Sequence, residues 1–181
     1  MREIVSTLIT KEEIEKRIDE LALEIERDYA GSEIVMVCVL SGSMVFASDL
    51  MRKISSKVSV RLDAISASSY GTSTKSSGRV NISLDTKESL TGKNVIIIED
   101  IVDTGRTLDF ITYHIKYHSP KELKVCALLD KPSRREVGHD LKIDYLGFTI
   151  DDHFVVGYGI DYAQKYRNLP YIGFVSFQDE R

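Results

Sequence analysis

Three carboxylates, two threonines and a glycine fall within the nine residues Glu99-Asp100-Ile101-Val102-Asp103-Thr104-Gly105-Arg106-Thr107, directly after the aliphatic run Val95 to Ile98. A helix that starts at such small residues presents unpaired N–H groups and the positive end of its dipole, which suits a phosphate, helped by the hydroxyls of Thr104 and Thr107. Adjacent acids would repel that phosphate, so Glu99 and Asp100 fit sugar hydroxyls or a divalent cation instead. A phosphorylated sugar satisfies both halves of the segment. One acid alone would read as an ordinary helix cap, with Asp103 or Thr104 in that role. Three acids plus Thr-Gly-Arg-Thr after a buried strand exceed what capping requires. Asp103-Thr104-Gly105 also matches the aspartic-protease triplet, but that chemistry needs an all-β fold and helical spacing follows Gly105. The segment is not Gly-rich with a terminal Lys-Ser/Thr, so it is no nucleoside triphosphatase P-loop.

Such a segment has to stand at the end of a strand, and the chain supplies a framework for it. Thr10 and Glu13 have capping-box spacing, and Ile14, Ile18, Leu21 and Ile25 line one helical face that ends near Gly31. Ile34 to Leu40 reads as a buried strand stopped by Ser41-Gly42-Ser43, Met44 to Ile54 as a helix, and Val58 to Ser66 as a second strand. Ser66 to Gly78 is almost all Ser, Thr and Gly, which predicts a long mobile loop, uncommon in a compact domain unless it is a lid or binding segment. Arg79 to Asp85 alternates like a half-buried strand. A helix is predicted from Arg106 to about His118, ended by Pro120, with further strands at Leu123 to Leu129 and Ile143 to Phe148 and apolar segments at Phe154 to Val156 and Tyr171 to Phe177. Continuous apolar strands alternating with helices predict an α/β fold whose mainly parallel twisted sheet is covered on both faces. In such a sheet, ligands bind beyond the carboxyl ends of the strands.

The 181 residues suit a single domain spanning 1–181. With 43% hydrophobic and 29% charged residues, and only 3 Pro and 11 Gly, disordered and collagen-like classes are excluded. A net charge of −4 disfavours nucleic acid as a partner. Cys38 and Cys126 sit inside apolar runs as small hydrophobes, and without a cysteine framework a reducing, cytoplasmic setting is expected. Met1 to Ile9 alternates charged and apolar residues without a signal-peptide core, and no apolar run is long enough to span a bilayer, so neither export nor membrane insertion is expected. His114 and His118 stand four residues apart, but lack the intervening acid of a zinc-peptidase helix and are not read as metal ligands.

The segment from Val95 to Thr107 resembles the phosphoribosyl pyrophosphate (PRPP) motif of the purine phosphoribosyltransferases of the hypoxanthine-guanine type: four apolar residues, two acids, two aliphatics and Asp-Thr-Gly-x-Thr. Four further segments are similar in family order. Leu40-Ser41-Gly42-Ser43 resembles the pyrophosphate loop, Ser69-Tyr70 the pair on the lid, Leu129-Asp130-Lys131-Pro132 the purine-recognition strand, and Phe154 to Tyr162 with Tyr166 to Pro170 the hood. The resemblance implies a type I phosphoribosyltransferase fold with a small hood from about 1–10 and 143–181 and a mobile lid.

It also implies roles. PRPP would place its 5-phosphate at Asp103, Thr104, Gly105, Arg106 and Thr107, its ribose hydroxyls at Glu99 and Asp100, and its pyrophosphate at Ser41, Gly42 and Arg167. Arg106 would have no catalytic part. Mg²⁺ would be held by Glu99, Asp100 and Asp161 with substrate oxygens. The purine would meet Lys131, Phe154, Val155 and Asp161, and Lys131 would donate to a 6-oxo group, so that hypoxanthine and guanine would be accepted and adenine refused. Asp103 would be the general base, and Ser69 and Tyr70 would close over the site. Ser41 stands where many relatives carry Lys, leaving backbone contacts for the pyrophosphate. In the family this peptide can be cis. Purine salvage to IMP and GMP is the implied activity and a homodimer or homotetramer the implied assembly. A PRPP-sensing nucleic-acid binder would need a basic face or an added domain, and a xanthine- or pyrimidine-directed enzyme fits Leu-Asp-Lys and Phe-Val-Val-Gly-Tyr less well.

Overall fold

A computed structural model of the chain describes residues 2–69, 80–136 and 141–178. The chain runs β1 (Arg2–Ile9), α1 (Lys11–Tyr29), β2 (Glu33–Val39), α2 (Met44–Lys53), β3 (Ser59–Ser69), β4 (Val80–Leu84), β5 (Asn94–Val102), α3 (Arg106–Tyr117), β6 (Glu122–Asp130), a 3₁₀ turn (Pro132–Arg134), β7 (Tyr145–Thr149), β8 (Val155–Val156) and β9 (Ile172–Gln178). Thr10 and Glu13 form the reciprocal capping box that starts α1.

Six strands form one sheet in the order β4-β3-β2-β5-β6-β7, parallel except for the antiparallel β3–β4 edge. Period-two alternation sorts its apolar residues onto two faces. Met36, Cys38, Ile96, Ile98, Cys126 and Leu128 pack under α1 and α2, while Val35, Val37, Val39, Val95, Ile97 and Val125 pack under Leu108, Ile111 and Ile115 of α3. Both faces are therefore covered, which is why these strands read as unbroken apolar runs. A second, antiparallel sheet, β1-β9-β8, stands over the first as a hood. Its residues Ile9, Val155 and Ile172, with Tyr158 and Ile160 just after β8, belong to the same core as α1 and α2. Among the described residues no helix is long and apolar enough to cross a membrane.

Four boundaries differ from the sequence-based expectation. Strand β5 continues past Ile98 through Glu99 and Asp100 to Val102, because its pairing with β6 persists to Asp130, so the acid pair is on the strand and not in a loop. Ser66 to Ser69 stay in β3, held by β4, and are not loop. Tyr70 and the rest of the expected lid to Gly78 lie outside the described residues. Strand β7 pairs in parallel with β6 as the edge of the large sheet, so the hood sheet draws its C-terminal strands from Val155 onward and not from residue 143. The alternating N-terminal residues form β1, which pairs with β9 and sets Leu8 and Ile9 against the core.

Candidate active site

The carboxyl ends of β2 and β5 and the loop Gly157 to Arg167 of the hood converge on a cavity of about 310 Å³. Ser41, Gly42, Glu99, Asp100, Asp103, Thr104, Gly105, Thr107, Asp161 and Arg167 line it, together with Ala67, Val102 and Leu108. The Leu40–Ser41 peptide is cis. The loop after β2 is seated directly on β5: a Cβ added to Gly42 would stand 1.8 Å from Asp100 Oδ2, so only glycine allows that approach. Ser43 is buried beneath it, its hydroxyl donating to Val39 O at 2.7 Å.

At the cavity floor Glu99 is buried and Asp100 half-buried, and desolvation penalises the charged form of each. Burial first, and then the neighbouring Asp100 charge, hold Glu99 well above the usual carboxyl range. Burial also raises Asp100, against the hydrogen bond from Glu99, the Ile101 N–H at 2.9 Å and the positive charge of Arg167. The pair therefore tends to keep a proton until a cation or a donor array arrives to replace it.

Helix α3 opens on Gly105, which has φ +88 and makes no side-chain cap hydrogen bond. Thr104 Oγ1 lies 3.5 Å from the Arg106 N–H, at the outer limit for a hydrogen bond, and neither it nor Asp103 caps the helix. The first-turn N–H groups consequently face the cavity as an anion site. Arg106 itself is turned away: its Nε pairs with Glu136 at 2.5 Å and it is absent from the cavity lining, which removes its guanidinium from the phosphate cradle. Across the cavity, Arg167 is fixed by Asp161 at 2.7 Å and by Gly159 O at 2.7 Å, and Asp161 also accepts from the Gln164 N–H at 2.8 Å.

A family model described as the phosphoribosyl transferase domain matches residues 5–163. The chain belongs to the phosphoribosyltransferase family. It is 46% identical over 182 residues to hypoxanthine phosphoribosyltransferase of Escherichia coli, covering 99% of this chain and all of that one. It is 44% identical to hypoxanthine-guanine phosphoribosyltransferase of Bacillus subtilis over 94% of this chain and 93% of the relative. A crystal structure of a hypoxanthine-guanine phosphoribosyltransferase from Bacillus anthracis superposes with a TM-score of 0.88 and 51% identity, covering 97% of this chain and all of that one. Hypoxanthine phosphoribosyltransferase of Trypanosoma cruzi with its product IMP gives 0.85 and 40%, covering 93% of this chain and 92% of that one. This phosphoribosyltransferase is thus a transferase with the family's mixed α/β fold, and such transferases use a divalent metal.

Lys131, Phe154 and Val155 are not among the residues that line the cavity. Lys131, almost fully buried after β6, ties its backbone N–H to Val102 O at 2.9 Å, and its Nζ is 3.9 Å from Asp152 Oδ1, beyond hydrogen-bond length. Phe154 is 56% exposed and meets Tyr162 edge to face at 5.2 Å, while Val155 is buried in β8. Ser69 is the last residue of β3. Sequence reasoning missed Arg134, whose Nε lies 3.3 Å from Asp103 Oδ1 and 3.7 Å from Asp152 Oδ1. It also missed Arg135, which donates to Asp103 O at 3.3 Å. Their signal was two arginines three and four residues after Lys131, which only the 3₁₀ turn at Pro132 folds back toward Asp103.

Proposed function

We propose that the protein transfers the 5-phosphoribosyl group of PRPP to N9 of a 6-oxopurine, hypoxanthine or guanine, giving IMP or GMP and pyrophosphate. The observation that carries this reading is the convergence, in one cavity, of an uncapped helix N-terminus, an adjacent acid pair and a hood arginine. The 5-phosphate accepts from the N–H groups and hydroxyls of Thr104 to Thr107. The ribose hydroxyls hydrogen-bond Glu99 and Asp100, and the pyrophosphate takes the backbone N–H groups of Ser41 and Gly42 and the charge of Arg167.

The oxygen-only donor set of Glu99, Asp100 and Asp161 fits a hard divalent cation better than a zinc-type ion, and two adjacent acids of raised pKa gain from one. Mg²⁺ is the proposed metal, those three residues are the ones that would hold it, and bound there it supplies charge neutralisation to the leaving pyrophosphate. As the C1′ centre gains oxocarbenium character, Arg167 balances charge growing on the departing oxygens. Asp103, open to the cavity and anchored by Arg134, takes the proton from the purine's imidazole ring. Such a base is worth about 10²- to 10⁴-fold in rate. The buried ammonium of Lys131 donates to the 6-oxo group. An adenine amino group there would oppose donor to donor, a mismatch that sites of this kind refuse by roughly 10⁴-fold. Phe154 offers an exposed ring face for stacking, and backbone groups at Val155 and Asp161 reach the purine edge. Ser69 and Tyr70 are assigned to the lid that keeps water from the reacting carbon. The buried, unpaired Cys38 and Cys126 accord with a cytoplasmic setting, and the assembly is assigned as a homodimer or homotetramer.

The test mixes the protein with PRPP, Mg²⁺ and hypoxanthine, guanine, xanthine or adenine and follows nucleotide formation, with Asp103→Asn in parallel. IMP and GMP should form and AMP should not, and the variant should lose about 10²- to 10⁴-fold in kcat. PRPP binding with no base converted would overturn the assignment.

A further inference from the structure

At the end of α3 opposite the phosphate cradle, three side chains from two separate parts of the chain come together. His114 and His118 stand one turn apart near the end of the helix, their rings 5.1 Å apart at 70°. Asp85, the residue after β4, reaches the same point, and His114 Nε2 sits between its two carboxylate oxygens at 3.0 and 2.9 Å. One ligand atom from each of the three lies within 4.8 Å of the others. Tetrahedral Zn²⁺ with bonds near 2.0–2.1 Å spaces its ligand atoms about 3.4 Å apart, so small side-chain rotations suffice to close the triad on an ion. We propose that Asp85, His114 and His118 form a binding site for one transition-metal ion of the zinc class.

Three features favour an ion over a simple ion pair. Two imidazoles and a carboxylate are the donor set that borderline metals select, in contrast with the all-oxygen set of the catalytic cavity, so the two sites take different metals. The ligands are partly oriented before any ion binds. The Asp85 carboxylate accepts from the Thr86 N–H at 2.8 Å, the His118 ring packs against that of His114, and the His118 backbone is held by its carbonyl accepting from the Thr91 hydroxyl at 2.9 Å. Asp85 is about half exposed and the His114 side chain 26% exposed, which leaves a side open for a water as fourth ligand. None of the three lines the catalytic cavity. An ion here would join the edge strand β4 to the C-terminal end of α3, whose opposite end carries Gly105 and Thr107.

The experiment titrates Zn²⁺, and separately Co²⁺, into the full chain with Mg²⁺ in excess to occupy the oxygen sites. Calorimetry reads stoichiometry and affinity, and the visible absorption of Co²⁺ reads its geometry. One ion per chain, a tetrahedral Co²⁺ spectrum and a thermal midpoint that rises with Zn²⁺ concentration are expected. His118→Asn and the near-isosteric, exposed Asp85→Asn should each weaken binding by at least about tenfold while leaving the metal-free circular dichroism unchanged. Absence of saturable binding would overturn the proposal, as would equal affinity in the wild type and in a folded His114→Gln/His118→Asn double variant.

Discussion

Glu99 carries a cost that the folded protein accepts for its site. Its carboxyl is raised by burial and by Asp100, so the folded form holds its proton at pH values where the unfolded chain has lost it. The linked stability is fully present below the unfolded pKa of about 4.3 and is lost as pH rises through the folded value. Gln at this position never ionises. Glu99→Gln should therefore become progressively more stable than the wild type as the pH is raised from mildly acid to mildly alkaline, at about 1.4 kcal/mol per unit of pKa displacement. Thermal melts of both proteins across that range check the sign, and a difference that does not grow with pH refutes the reading. Lys131 makes a second prediction at this scale. Its buried ammonium has Asp152 only at 3.9 Å, so a substrate carbonyl is its natural partner. Lys131→Ala should lower kcat/KM for hypoxanthine by about tenfold or more, from loss of a charged hydrogen bond worth roughly 1.5–3 kcal/mol, while leaving the trace activity with adenine nearly unchanged. Competition assays with both bases measure the ratio.

The loop joining β2 to α2 is held by its own hydrogen bonds, with Leu40 N–H donating to Ile65 O at 2.8 Å and the Ser43 hydroxyl to Val39 O at 2.7 Å, and by close contact with β5. Its Gly42 lies so close to the Asp100 carboxylate that any side chain must displace that carboxylate or the loop. Gly42→Ala should cost about 1–3 kcal/mol, the range of an overpacked site. In a chain of this size that lowers the thermal midpoint by about 2–4 °C per kcal/mol. Either displacement disturbs the PRPP contacts assigned to Ser41, Gly42 and Asp100, so KM for PRPP should rise more than KM for the purine. Equal changes in both would indicate a general loss of structure. Helix α3 shows the complementary case: Thr104 and Asp103 were candidates for its cap, but Gly105 takes the N-cap position in a left-handed conformation without a side-chain bond. The helix start is thereby left for a ligand.

At the scale of the whole molecule, the hood and the large sheet share one core, since Ile9, Val155, Tyr158, Ile160 and Ile172 pack with residues of α1, α2 and the sheet. Tyr158 also donates to Asp49 of α2. The two sheets should therefore unfold together. Far-ultraviolet circular dichroism and tyrosine fluorescence, convenient in a chain with 9 Tyr and no Trp, should give coincident denaturation curves. Separate transitions would mean that the hood is only loosely attached.

The parallel sheet was legible in the sequence because strands covered on both faces must be apolar throughout, and α1 was legible from its spacing and capping box. The PRPP-type segment was legible because phosphate and sugar recognition need residue types that no core requires. Strand ends were harder to read. Glu99 and Asp100 look like loop residues by composition, yet pairing with β6 keeps them in β5, a result of neighbours almost thirty residues away. The turn that brings Arg134 to Asp103, and the rotation of Arg106 toward Glu136, likewise depend on partners distant along the chain. His114 and His118 gave too little by themselves, since the third donor, Asp85, is 29 residues from His114. Local patterns of polarity and propensity, then, determined the elements and the chemical character of the site. Which side chains meet was decided only by the tertiary packing, because hydrogen bonds and ion pairs depend on ångström-scale proximity that spacing along a chain does not encode.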